Sequence, residues 1–123
     1  MDADALRELC LAFAGAGETY PFSSDLACFK VAGKVFALCR LVEQPLRMSL
    51  KCEPALAEQL RAAHPEIVPG YHLNKRHWNT VALDGSLSDE MVADMVQDSY
   101  DLVVSGLSRA QRRALRWAPE SDL

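Results

Sequence analysis

Leu6, Leu9, Cys10 and Phe13 return at the spacing of one helical face, and acidic residues occupy the first turn. The pattern predicts a helix over Asp2 to Ala14, with Gly15 available beyond its end. Such a stripe needs a sheet to cover. Pro21 biases Tyr20 away from the helical region, so Glu18 to Phe22 should run extended. Cys28 to Val31 and Val35 to Leu41 then flank Ala32-Gly33-Lys34, a short glycine-containing link that predicts a β-hairpin. From Leu46 to Lys51 the alternation is strict: Leu46, Met48 and Leu50 on one side, Arg47, Ser49 and Lys51 on the other. One face of that strand is buried and the other wet. By the same arithmetic Phe29, Val31, Val81 and Leu83 point inward, which leaves Lys30, Trp78 and Thr80 outward.

Pro54 opens a second helix at a position where its missing N–H costs nothing; Leu56, Leu60 and Ala63 form the inner stripe, and Pro65 ends it. Val68 to Leu73 and Trp78 to Leu83 read as the arms of a hairpin or wing, closed by Asp84-Gly85. Ser88 to Gly106 carries the strongest helical signal, with Ser88 as cap, Asp89 and Glu90 at the positive end of the dipole, and Met91, Val92, Met95, Val96, Ser99, Leu102 and Val103 on one stripe. Ser108 and Gln111 have capping-box spacing and start a short last helix. The order predicts an α+β fold, a two-layer sandwich with a mainly antiparallel sheet and helices on one face. A single domain over residues 1–117 is expected, followed by a flexible acidic tail at 118–123.

At 123 residues the chain is long enough to bury a core without metal or disulfide staples. Cys10, Cys28, Cys39 and Cys52 are widely spaced in apolar settings without a Cys-x-x-Cys pair, which predicts buried thiols rather than a disulfide framework or a zinc site. No apolar run approaches a membrane span, and the opening MDADALREL is acidic and amphipathic rather than a signal peptide, so a cytoplasmic location is expected. Net charge is −4 and the pI about 5.3. That balance opposes nucleic-acid binding unless the charges segregate. Along the chain they do. Lys30, Lys34, Arg40, Arg47, Lys51, Lys75 and Arg76 form one basic group and Arg109, Arg112, Arg113 and Arg116 another. Carboxylates gather near the start, between Asp84 and Asp101, and at Glu120 and Asp122.

The stretch Pro69 to Val81, PGYHLNKRHWNTV, holds the mixture least suited to a core: Tyr71, His72, His77 and Trp78 around the adjacent cations Lys75 and Arg76. Cations on phosphates and rings against bases are what gripping a polyanion requires. The same residues also suit half-buried rings beside a solvated turn. Taken with TYPF at Thr19 to Phe22, FKVAGKVFAL at Phe29 to Leu38, LKCEP at Leu50 to Pro54 and SYDLVVSGL at Ser99 to Leu107, the stretch resembles the MmcQ/YjbR family over nearly the whole chain. The resemblance implies a small α/β fold with a "double wing", described as DNA-binding on structural grounds and without an assigned enzymatic activity. In outline the family is similar to frataxin-like (CyaY-like) and secretion-chaperone-like folds.

Two function classes follow. In the first, a non-enzymatic DNA-binding module of low sequence specificity uses Lys30, Arg47, Lys51, Lys75, Arg76, His77 and Trp78 on a wing and an open sheet face. In the second, the same face is a protein-interaction surface whose cations meet an acidic partner. His72 and His77, with Cys52 or His64, lack the spacing of a known metal site, so no metal or cofactor is expected. Lys51 beside Cys52 would lower that thiol's pKa, but no base or oriented partner accompanies it. Asp94, Asp98 and Asp101 share a helical register that reads as a solvated face. Phosphate loops, nucleophile elbows and paired catalytic carboxylates are missing from the sequence, so an enzyme is not expected.

Overall fold

A computed structural model describes residues 1–116; the expected tail at 118–123 lies outside the described residues. The elements are α1 (Ala3–Leu11), β1 (Ala16–Thr19), β2 (Leu26–Val31), β3 (Lys34–Arg40), β4 (Leu46–Lys51), α2 (Pro54–Ala63), β5 (Ile67–Pro69), β6 (Trp78–Leu83), α3 (Asp89–Ser105) and α4 (Arg109–Arg116). The strands make one open sheet in the order β1-β2-β3-β4-β6-β5. Every neighbouring pair is antiparallel. The helices therefore start and stop close to where their punctuation predicts. Asp2 caps α1 by accepting from Ala5 N, and Ser88 caps α3 by accepting from Met91 N. The capping box of α4 is reciprocal, Ser108 Oγ accepting from Gln111 N while Gln111 Oε1 accepts from Ser108 N. At α2, Pro54 takes the first turn behind Glu53, whose carboxylate accepts from Ala55 N and Leu56 N.

The pleat decides which residues make the core. Leu46, Met48 and Leu50 of β4 pair with Leu83, Val81 and Asn79 of β6. Ala37 and Cys39 of β3 join Leu50 and Met48 on the same side. Against this face pack Leu6 and Cys10 of α1 and Val92, Val96, Tyr100 and Val103 of α3, with Leu60 of α2 and Leu115 of α4 at the margins. All four helices thus occupy one layer, as the two-layer expectation requires. Among the described residues no helix is long and apolar enough to cross a membrane.

Two local departures shape the sheet. The β2–β3 turn is the two-residue Ala32-Gly33, both at positive φ (50° and 79°), so Lys34 belongs to β3 rather than to the link. Such a turn twists in the sense that strands twist. The register then slips: Phe29 faces Ala37, whereas Lys30 faces Val35. Phe36 is the extra residue of a β-bulge. Its ring enters the core, edge-on to Tyr100 at 5.4 Å and to Phe13 at 6.0 Å, while Phe13 and Tyr100 stack at 4.7 Å. Ser99 Oγ donates to the bulged Phe36 O at 2.6 Å and accepts from Lys51 N at 2.9 Å, which joins α3 to both central strands.

Candidate nucleic-acid interface

Because the helices share one layer, the opposite face of the sheet is free of them. Across it runs the row Thr19, Cys28, Leu38, Ser49, Thr80, Val68, each facing its neighbour in register. Cys28 is fully buried yet belongs to no part of the core cluster. Ser49 Oγ and Thr80 Oγ1 share a hydrogen bond of 2.9 Å, and Thr80 Oγ1 also accepts from Tyr71 N at 3.0 Å. That second bond folds the β5–β6 loop back over the sheet. From the opposite edge and the opposite end, the β1–β2 loop carries Phe22 toward Leu26. Between the two loops lies a groove of about 780 Å³, with Leu38, Ser49 and Thr80 on its floor and Phe22, Arg40, Arg47, Tyr71 and His72 on its walls.

The β5–β6 loop is built by side-chain bonds to its own backbone. Asn74 Oδ1 accepts from Arg76 N at 2.9 Å and from His77 N at 3.3 Å. Arg61 of α2 donates to Lys75 O and Asn79 Oδ1, both at 3.0 Å. Gly70 N donates to Trp78 O at 2.8 Å. A Cβ at Gly70 would stand 2.7 Å from Trp78 Cβ, so the loop closes on Trp78 only because residue 70 has no side chain. The predicted arm from Val68 to Leu73 is accordingly shorter: β5 stops at Pro69, and His72 sits at φ 57° in the left-handed region.

The structure divides the residues proposed from sequence into three groups. Lys30 and Lys51 are half-buried on the helix-free face at one end, Lys51 directly opposite Trp78; neither has an ion-pair partner among the described residues. Arg47 stands at the other end and is held by Glu43 at 2.8 Å, as Arg40, a residue not in the proposed set, is held by Asp25 at 2.9 Å. Lys75 and Arg76 are exposed at the turn of the loop, but Lys75 Nζ donates inward to Gly70 O at 3.2 Å. His77 is half-buried, its carbonyl accepting from Cys52 N at 2.8 Å. Trp78 is half-buried beneath Gly70. The basic residues therefore flank the groove rather than converge on one spot. Sequence reasoning missed Phe22, 75 % exposed, and Tyr71 as a wall residue, 70 % exposed; the only signal available was the pair of proline-adjacent aromatic segments.

Sign is divided by element rather than cleanly by layer: the strands are basic and α1 to α3 acidic, while α4, in the helical layer, carries Arg109, Arg112, Arg113 and Arg116 and no carboxylate. The strands carry Lys30, Lys34, Arg40, Arg47 and Lys51, and the sole strand carboxylate among the described residues is Glu18, which Arg7 of α1 holds at 3.0 Å. Helices α1 to α3 carry Asp4, Glu8, Glu58, Asp89, Glu90, Asp94, Asp98 and Asp101 against Arg7 and Arg61. Asp25 lies below the usual carboxylate range because Ser23 and then Arg40 stabilise its charged form. The expectation for Cys52 is reversed: burial, with Asp98 and Glu53 next, pushes its thiol up rather than down. Among the described residues no group of three or more His, Cys, Asp or Glu side chains is placed to hold a metal ion.

The chain is similar to an uncharacterized protein YjbR of Escherichia coli K12, 38 % identical over 115 residues that span 94 % of this chain and 98 % of that one. It is also similar to an uncharacterized protein YbdF of Escherichia coli O157:H7, 32 % identical over 94 % of this chain and 98 % of that one. Among solved structures, the Deinococcus radiodurans protein DR2400 superposes with a TM-score of 0.88 at 42 % identity, covering 93 % of this chain and 87 % of that one. A Pseudomonas syringae protein follows the same fold at a TM-score of 0.72 and 27 % identity, over 83 % of this chain and 98 % of that one. The YjbR family model matches residues 11–102, from the end of α1 through most of α3, and with these relatives it makes the chain a member of the YjbR family.

Proposed function

We propose that the helix-free face is a non-enzymatic DNA-binding surface of low sequence specificity. The observation that carries the reading is the placing of charge about the sheet: Lys30, Arg40, Arg47 and Lys51 on the helix-free face, the helical carboxylates on α1 to α3 behind it. An acidic molecule holds a polyanion only where its positive side chains are separated from its negative ones. Of the cations on the open face and its loop, Lys30 and Lys51 at one end and Arg76 at the loop turn have neither an ion-pair partner among the described residues nor, as Lys75 has, a side-chain bond back to the loop, so they contribute most. Arg40 and Arg47 contribute less, because a phosphate must compete there with Asp25 and Glu43. Low specificity is the expectation for a surface whose cations reach phosphates from a sheet face, since phosphate contacts carry no direct sequence information. Free, buried cysteines agree with a cytoplasmic setting, which belongs to the same proposal.

Fluorescence anisotropy with labelled DNA across a range of salt tests the reading. Wild-type affinity should fall steeply as salt rises, and the Lys30→Ala/Lys51→Ala double variant should lose about 0.7–0.9 of log–log slope for each phosphate contact removed. Absence of salt-dependent DNA binding would contradict the reading and leave the open face to an acidic protein partner.

A further inference from the structure

Resting on the DNA reading above, we propose that the groove takes a single strand, its bases stacked on Phe22 and Tyr71, in preference to a duplex. The two rings project from opposite edges of the sheet into one groove and are 75 % and 70 % exposed. Exposed rings facing a shared concavity are stacking platforms, and every nucleobase has a π-face to offer them. A duplex has already stacked its bases on one another, so it leaves these rings without a partner. Tyr71 is also restrained. Its amide donates to Thr80 Oγ1 at 3.0 Å, and its ring lies 4.0 Å from that of His72, whose backbone is held at φ 57°. A non-glycine residue in the left-handed region persists where its surroundings over-determine it, and such positions concentrate at binding sites.

The groove's depth favours the thinner ligand as well. Its floor contains Thr80, only 5 % exposed, beneath walls of loop. A volume of about 780 Å³ falls within the range of clefts that enclose a small organic ligand, the scale of a few nucleobases rather than a double helix. Charge is disposed to match: Lys30 and Lys51 at one end and the Arg40 and Arg47 pairs at the other would meet the backbone on its way in and out. Stacking and phosphate contact are therefore assigned to different residues, and this separates them experimentally.

Anisotropy titrations with a labelled oligothymidine and a duplex hairpin of equal length, at one low salt concentration, compare the two ligands. The single strand should bind more tightly. Phe22→Ala and Tyr71→Ala should each weaken it roughly 5- to 150-fold, with the salt slope unchanged and Tyr71→Phe close to wild type. Circular dichroism melts of both alanine variants should match wild type, since each ring is mostly in solvent. Duplex binding as tight as single-strand binding, or ring variants that bind the single strand as well as wild type, would overturn this inference while leaving the DNA reading intact. Failure of both ligands to bind at low salt would overturn both.

Discussion

Ser99 sits on the apolar stripe of α3, yet its hydroxyl is fully buried and makes two hydrogen bonds to different strands, to Phe36 O and from Lys51 N. Alanine there would strand a backbone carbonyl and a backbone N–H away from water, and each unsatisfied buried group costs about 1–3 kcal/mol. Ser99→Ala should therefore destabilise the fold by about 2–4 kcal/mol in urea denaturation; a loss below about 0.5 kcal/mol, typical of surface sites, would mean that the bulge does not depend on the bracket. Asp25 makes a separate, titratable case. Ser23 and Arg40 depress its folded-state pKa below the ordinary 3.8, so its contribution to stability is present above the unfolded value and is lost as pH falls through the folded one. An NMR titration should place the Asp25 midpoint below 3.8, and Ser23→Ala or Arg40→Gln should raise it toward that value. A midpoint at or above 3.8 in the wild type would remove the pairing from the account.

The β5–β6 loop is the element on which the groove depends, and Gly70 is its tightest point. A Cβ at residue 70 would meet Trp78 Cβ at 2.7 Å and Trp78 O at 3.1 Å, whereas one at Gly17 would meet nothing within 4 Å. Gly70→Ala should cost about 1–3 kcal/mol and weaken DNA binding by displacing Tyr71; Gly17→Ala should change stability by less than about 0.5 kcal/mol. Equal melting temperatures for the two variants would contradict the close approach. How far these elements could be read in advance varied with the physics that sets them. The alternation from Leu46 to Lys51 fixed one strand's faces, because pleating is local, and the Ser88 and Ser108 caps marked helix starts for the same reason. The bulge at Phe36 left no local mark, since Val35 to Leu38 is an unbroken apolar run with no alternation to interrupt, and only pairing with β2 reveals the slip. Phe22 and Tyr71 were unreadable as groove walls because exposure is decided by where two distant loops fold. The unpaired state of Lys30 and Lys51, against the paired state of Arg40 and Arg47, likewise depends on which carboxylates the loops bring near.

At the scale of the whole molecule, a net charge of −4 is compatible with holding DNA because the carboxylates of α1 to α3 lie on the opposite side of the sheet from Lys30, Arg40, Arg47 and Lys51. Two strand arginines are partly neutralised by Asp25 and Glu43, which leaves the open face moderately rather than strongly basic, so the proposed DNA binding should be sensitive to salt. The aromatic walls then supply what charge alone does not. The most direct measurement is a map of amide chemical-shift changes when DNA is added to the isotope-labelled protein. The largest changes should fall on Phe22, Lys30, Leu38, Ser49, Lys51, Tyr71 and Thr80, with the exposed α3 positions Asp94, Asp98 and Asp101 unmoved. Changes centred on α1 to α3, or none at DNA concentrations that saturate the anisotropy signal, would contradict the assignment of binding to the open face.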